Sequence, residues 1–224
     1  CKNGCKVTTY FSHAQANEKK KCVLSLCAEI SEKRKAAADK LSEKLTLALI
    51  DLNFLDVDFT ISVLPDEENF TGDGYDNITF MISTNPGEAK KPLQQVASGG
   101  ELSRIMLAFK SVFADEEGTD TLIFDEIDTG ISGRTAWKVS EKLGQLSAEH
   151  QIICITHLPQ IAAMADTHFL IEKQVANERT VTQIHKMNGE ESLYELARLL
   201  GSGSVTEAVL NNAKEMKETA DKVK

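Results

Sequence analysis

The chain has no apolar run near the ~18 residues that a membrane-spanning helix needs. Its first twenty residues hold several lysines and no apolar core segment, so no secretory signal is expected there. It has no excess of positive charge: 25 Lys and Arg stand against 34 Asp and Glu, a net of −9 over 224 residues. Such a chain does not hold polyanions by bulk charge, and any nucleic-acid contact must come from a local basic patch. Nor does it have the composition of a disordered chain, with 42% hydrophobic and 26% charged residues and a mean hydropathy of −0.23. Its length fits one or two domains.

The charge is uneven. Residues 1–45 carry ten Lys and Arg, including Lys19, Lys20, Lys21, Lys33, Arg34 and Lys35, against five acids, which leaves −14 for the rest. The chain opens on Cys1 rather than Met, as a processed protein or a piece of a longer one would; a piece is the expectation. Its five cysteines, an odd number, fit free thiols in a reducing cytoplasm. Four of them read C-x3-C-x16-C-x4-C, loosely like a zinc site, but without the C-x2-C knuckles such sites favour.

From Val23 the pattern turns helical. Val23, Cys27, Ile30, Ala37, Leu41, Leu45, Ala48, Leu52 and Leu55 follow steps of three and four, with Lys and Glu between them. This is either an amphipathic helix on its own domain or the end of a coiled-coil arm entering a globular head. Residues 1–22 show no period and stay unassigned. The division expected is therefore 1–22 unassigned, 23–55 arm end and 56–224 head.

After Asn53 the period becomes two. Val57–Val63 and Ile78–Ile82 alternate as strands around an acidic, Gly-rich loop. Helices are predicted over 99–113, 133–146, 159–165, 191–200 and 205–223, and strands over 121–125, 151–156, 168–172 and 180–186. Two short apolar runs flanking a helix suggest a βαβ unit, with ligands at the carboxyl ends of its strands. Those ends are Asp125-Glu126 and Thr156-His157.

An Asp closing a buried strand suits a Mg²⁺ shell, and the adjacent Glu faces another way by strand alternation. Ser98-Gly99-Gly100-Glu101-Leu102-Ser103-Arg104 opens a helix with a hydroxyl, unhindered N–H groups and a positive dipole end. Each alone has a bland alternative, as a solvated strand end and a helix cap. In register they resemble the second half of an ABC-type ATPase. More closely, Ala97–Arg104, Ile123–Gly133 and Ile155–Ala162, with the closing helix Leu196–Gly201, resemble the RecN family of bacterial DNA repair proteins in the SMC-like group.

The resemblance implies an α/β fold: the carboxy-terminal lobe of an ABC/SMC-type ATPase head, mainly parallel sheet with flanking helices, after a long coiled-coil helix. It implies ATP and Mg²⁺ as cofactors. Asp125 would orient the metal, Glu126 would polarise the attacking water and His157 would contact the γ-phosphate. Ser98, Gly99, Gly100 and Glu101 would meet the ATP of a second head, with Asp128 and Gly130 at that same interface. Arg104 would brace its helix or face DNA. The family carries a phosphate-cradling G-x-x-x-x-G-K-[ST] loop near its amino terminus. This sequence has no Gly-Lys dipeptide, so the implied partners are an amino-terminal lobe of the same parent, a second head in a homodimer, and DNA. A cytoplasmic, nucleoid-associated location is implied, and no ATPase activity for this chain alone. A transporter-type ATPase fragment and a non-enzymatic dimerisation module are the alternatives. The helical segment before Asp56 and the Glu after the glycines weigh against the transporter.

Overall fold

The structure, a computed structural model, describes residues 2–85, 87–96, 99–176, 179–201 and 204–223, without the side chains of 2–14, 115–117, 175, 176 and 179. Backbone contacts divide it into two compact units, residues 1–47 with 55–96 and residues 48–54 with 97–224. Among the described residues no helix is long and apolar enough to cross a membrane.

A single helix, α1 (Lys2–Asp51), covers the whole amino-terminal stretch. At 1.5 Å per residue its 50 residues span about 75 Å. Residues 15–22 are exposed all round, which is why no period marks them. From Cys27 onward one stripe is buried: Cys27, Ser31, Ala38, Leu45, Ala48, Leu49 and Leu52. This differs from the apolar seam expected. Ile30 and Ala37 are exposed, and Ser31 and the half-buried Arg34 hold the inner positions.

They do so because their polar groups meet partners on β1 (Asp58–Pro65) and β2 (Asp76–Ser83). The two strands form an antiparallel hairpin with Phe59 opposite Ile82. A two-residue strand, β3 (Lys91–Pro92), adds to β2. Arg34 donates through Nη1 to Asp76 Oδ2 at 2.9 Å and through Nη2 to the Asp73 carbonyl at 2.7 Å. Ser42 Oγ accepts from the Ile61 N–H at 3.1 Å. The Asp76 side chain has no solvent exposure. Burial pushes its pKa up, but nearby Ser31 and the bonded Arg34 outweigh that and hold it below the usual carboxylate range. Ser31 Oγ and Asp76 Oδ1 are both buried here.

In the second unit α1 ends in a left-handed cap. Asn53 has φ 66°, its N–H donates to the Ile50 carbonyl, and the Phe54 N–H reaches back to Leu49. Asparagine tolerates this conformation better than most residues. Helix α2 (Gly99–Glu117) precedes β4 (Thr121–Phe124), and α3 (Gly133–Leu146) crosses over to β5 (Gln151–Cys154). β4 and β5 pair in parallel, Ile123 opposite Ile153. Helix α4 (Pro159–Ala163) leads to a second antiparallel hairpin, β6 (Phe169–Ala176) and β7 (Arg179–Lys186). Helices α5 (Gly189–Leu200) and α6 (Glu207–Val223) close the chain. They pack with α4 around Ala163, Leu196, Ala197 and Ala213. Asn188 caps α5 in a reciprocal box with Glu191.

Among the described residues parallel pairing is thus confined to β4 and β5, where a mainly parallel sheet was expected. Only that pair has a helix long enough for a crossover between its strands; the other pairs are joined by short connections, which force antiparallel strands. Leu122 and Phe124 face the core, whereas Ile123 is 69% exposed and Ile153 and Ile155 about half exposed. Parallel sheets are ordinarily covered on both faces. Here one face is bare and apolar.

Asp76→Ala, which strands Arg34 at a half-buried site, should cost about 3 kcal/mol in urea unfolding at neutral pH. Because the folded pKa of Asp76 is depressed, the pair's contribution is present above the ordinary carboxylate pKa and lost as pH falls through the folded value. The gap between wild type and variant should narrow correspondingly in acid.

Candidate functional site at the carboxyl ends of β4 and β5

Beyond Phe124 the chain leaves the sheet and turns sharply. Asp125 Oδ1 accepts the Glu126 N–H at 2.9 Å, and Glu126 sits in the left-handed region at φ 56°. A non-glycine residue held there is strained, and such strain concentrates where side chains must be aimed. This left-handed twist, rather than strand alternation, therefore orients Glu126. Its Oε2 lies against the start of α2, where a Cβ on Gly99 would come within 3.1 Å of it. The Thr129 N–H then closes back on the Glu126 carbonyl at 3.2 Å. Gly130 continues the turn at φ 74°, with open space where a side chain would project.

Helix α2 is pinned to this turn. A Cβ on Gly100 would lie 2.5 Å from the Thr129 carbonyl oxygen, so the second glycine is required by internal packing. Ser103 Oγ donates to the Asp125 carbonyl at 3.2 Å, and Arg104 Nη1 to the Thr129 carbonyl at 3.1 Å. Arg104 is buried, with its guanidinium 5.5 Å from the Phe54 ring centre, and burial lowers its pKa while Glu101 opposes the shift. Of its two expected roles, the structure gives Arg104 the bracing one. Ser98 lies outside the described residues.

The end of β5 joins the same turn through Asp128, which is 3% exposed. Its Oδ2 accepts from Thr156 Oγ1 at 2.6 Å and from the His157 N–H at 2.8 Å, and lies 3.0 Å from His157 Nδ1. The Asp128 carboxylate is thus engaged inside the chain. The His157 side chain is 71% exposed. Close by, burial and then the charges of Asp128 and Asp125 push the Cys154 thiol up to about 12, so it stays protonated and is no nucleophile.

The structure thus brings Gly99, Gly100, Asp125, Glu126, Asp128 and His157 into one connected group. Glu101 stands on the first turn of α2. Sequence patterns missed the role of Thr129, whose carbonyl accepts from Arg104 and leaves no room for a side chain at position 100. A Thr between an Asp and a Gly signals a turn and nothing more. They also missed Asn53, which ties the cap of α1 to Thr135 Oγ1 at 2.7 Å.

No protein-family model matches the chain. The DNA repair protein RecN of Bacillus subtilis is 39% identical over 232 aligned positions, which cover 95% of this chain and 40% of that protein. The chain is homologous to part of RecN. The RecN of Halalkalibacterium halodurans is 41% identical over 200 positions, 88% of this chain and 35% of its own length. That of Rickettsia felis is 43% identical over 191 positions, 85% of this chain and 35% of its own. The chain therefore spans well under half the length of these RecN relatives.

Among solved structures, the Smc head domain with coiled coil and joint from Pyrococcus yayanosii matches at TM-score 0.56 and 17% identity, over 87% of this chain and 36% of that one. A chain from structural work on the ATP-driven dimerization and DNA-stimulated activation of SMC ATPases matches at TM-score 0.50 and 17% identity, over 78% of this chain and 99% of that one. At these identities the likeness concerns the fold alone: an SMC-head-like α/β arrangement that follows a long amino-terminal helix.

The two glycines should respond differently to substitution. Gly100→Ala drives a Cβ into backbone and should lose about 1–3 kcal/mol in chemical unfolding. Gly99→Ala meets only the far end of the Glu126 side chain and should stay within about 1 kcal/mol of wild type.

Proposed function

We propose that this chain is the carboxy-terminal part of the ATPase head of a RecN-type DNA repair protein. One observation carries the reading: the glycines at the start of α2, the acidic pair and His157 are tied together at the carboxyl ends of two parallel strands. Ligands of open α/β sheets bind at such ends. The group supplies hard oxygens, aimed acid and an exposed imidazole, which phosphoryl transfer uses for positioning and charge neutralisation.

In this role Asp125 would hold Mg²⁺, with the nucleotide and water completing the metal's shell. Its exposed carboxylate gives one oxygen to the Glu126 N–H and keeps the other for a cation shell, and carboxylate oxygen is the donor Mg²⁺ prefers. When bound, the metal neutralises charge on the nucleotide phosphates. Glu126, fixed by its left-handed backbone, orients and polarises the attacking water. His157 contacts the terminal phosphate of the same ATP. Ser98, Gly99, Gly100 and Glu101 meet the ATP of a second head, and Gly130 lies at that junction, so that nucleotide joins two heads and hydrolysis releases them.

The phosphate-cradling lysine comes from the amino-terminal lobe of the parent. The bare face of Ile123, Ile153 and Ile155 is where that lobe packs, since an apolar face of a parallel pair is not left to water. Residues 23–55 are the returning limb of a coiled-coil arm. Val23, Leu26 and Ile30 form a second, exposed apolar stripe on α1, at the spacing an antiparallel partner helix would cover. Lys19, Lys20 and Lys21, exposed on the same helix, are suited to DNA phosphates, with the steep salt dependence such contacts bring. The protein acts in the bacterial cytoplasm, on the nucleoid.

The experiment is complementation. The chain alone should show no ATP hydrolysis, and adding the separately produced amino-terminal lobe of the parent should restore it. Glu126→Gln in the reconstituted head should still bind ATP and turn over ~10²–10⁴-fold more slowly. Unchanged turnover would remove Glu126 from this role, and robust hydrolysis by the chain alone would refute the division of labour.

A further inference from the structure

One carboxylate oxygen organises the end of β5. Asp128 Oδ2 meets the Thr156 hydroxyl, the His157 backbone N–H and the His157 ring Nδ1, all within 3.0 Å. Thr156 Oγ1 in turn accepts the Leu158 N–H at 3.0 Å, at the threshold of α4. The carboxylate thus grips the backbone and the ring of the same residue. A buried carboxylate is costly without donors, and these three supply them.

An ionised carboxylate only accepts hydrogen bonds. The contact at Nδ1 is therefore favourable only when that nitrogen carries hydrogen. In the neutral ring the second nitrogen, Nε2, then presents its lone pair. Which nitrogen of a histidine is protonated is set by what the other one meets, and without a partner at Nδ1 the hydrogen prefers Nε2. The ring is otherwise largely exposed, so only this bond fixes its orientation among the described residues.

We propose that Asp128 is a positioning residue for His157: it holds the Nδ1–H tautomer and the ring's orientation, so that Nε2 is the nitrogen offered to the nucleotide's terminal phosphate or the attacking water. When Nε2 takes up a proton, the carboxylate balances the ring's charge. The geometry stands by itself; its catalytic consequence rests on the function proposed above.

The direct test is the tautomer of His157 in this 224-residue chain, read from long-range ¹⁵N–¹H NMR spectra at about pH 8.5, above the ordinary histidine range. Wild type should show hydrogen on Nδ1 and an unprotonated Nε2. Asp128→Ala should revert to the Nε2–H form. Asp128→Asn, for use if the alanine variant does not fold, puts a weaker, uncharged acceptor in place of the carboxylate and should lower the Nδ1–H share relative to wild type. An Nε2–H ring in wild type, or one tautomer unchanged across the folded variants, overturns the proposal.

In the reconstituted head, Asp128→Asn should lower kcat at least ~10-fold with KM for ATP changed much less, and should add little to His157→Ala, because the two act as one unit. Full additivity would also overturn it. If His157→Ala leaves kcat unchanged, the nucleotide role of the site fails while the tautomer result keeps its meaning.

Discussion

The carboxylate of Asp128 is the point on which the site hangs. It is buried in the turn that follows β4, yet its donors all come from the end of β5. Strand pairing alone brings Phe124 beside Cys154 and stops there. Beyond it, among the described residues, the Ile155 N–H still reaches the Phe124 carbonyl at 3.0 Å, and the acidic pair and His157 lie past that last bond. Asp128 replaces the ladder with a charge-assisted clamp. Thr129, one residue on, gives its carbonyl to Arg104 and the close approach of Gly100, so the same turn also fixes α2.

Much of this was legible in the sequence. The period-two runs at 57–63 and 78–82 became an antiparallel hairpin, and the two apolar runs around a helix became a parallel pair, because burial on one face imposes those periods directly. The amino-terminal 22 residues were illegible for the complementary reason: the described side chains there are exposed all round, and a helix that buries no face shows no stripe. The seam of α1 was misjudged by one position at Ile30 and Ala37, since Ser31 and Arg34 are polar residues turned inward to Asp76 and Asp73. Hydrophobic periodicity cannot see a buried ion pair.

The site was legible as a set of residues but not as a geometry. Asp125, Glu126 and His157 follow from strand ends and spacing. The left-handed backbone of Glu126 and the internal engagement of Asp128 do not, because Asp-Glu-Ile-Asp-Thr-Gly says only that the chain turns. Gly100 is instructive: beside a possible anion it invites a ligand explanation, yet the Thr129 carbonyl already forbids a side chain. The fold likeness to Smc heads and the similarity to a part of RecN were legible in the same motifs; the exposure of Ile123, Ile153 and Ile155 was not, because apolar runs read as buried.

The most direct test of the account is a structure of the parent protein with Mg²⁺ and a non-hydrolysable ATP analogue. The metal should sit on Asp125 and the terminal phosphate between Glu126 and Nε2 of His157, with Asp128 still bonded to Nδ1. A nucleotide seated away from the ends of β4 and β5, or an Asp128 released to contact it, would contradict the account.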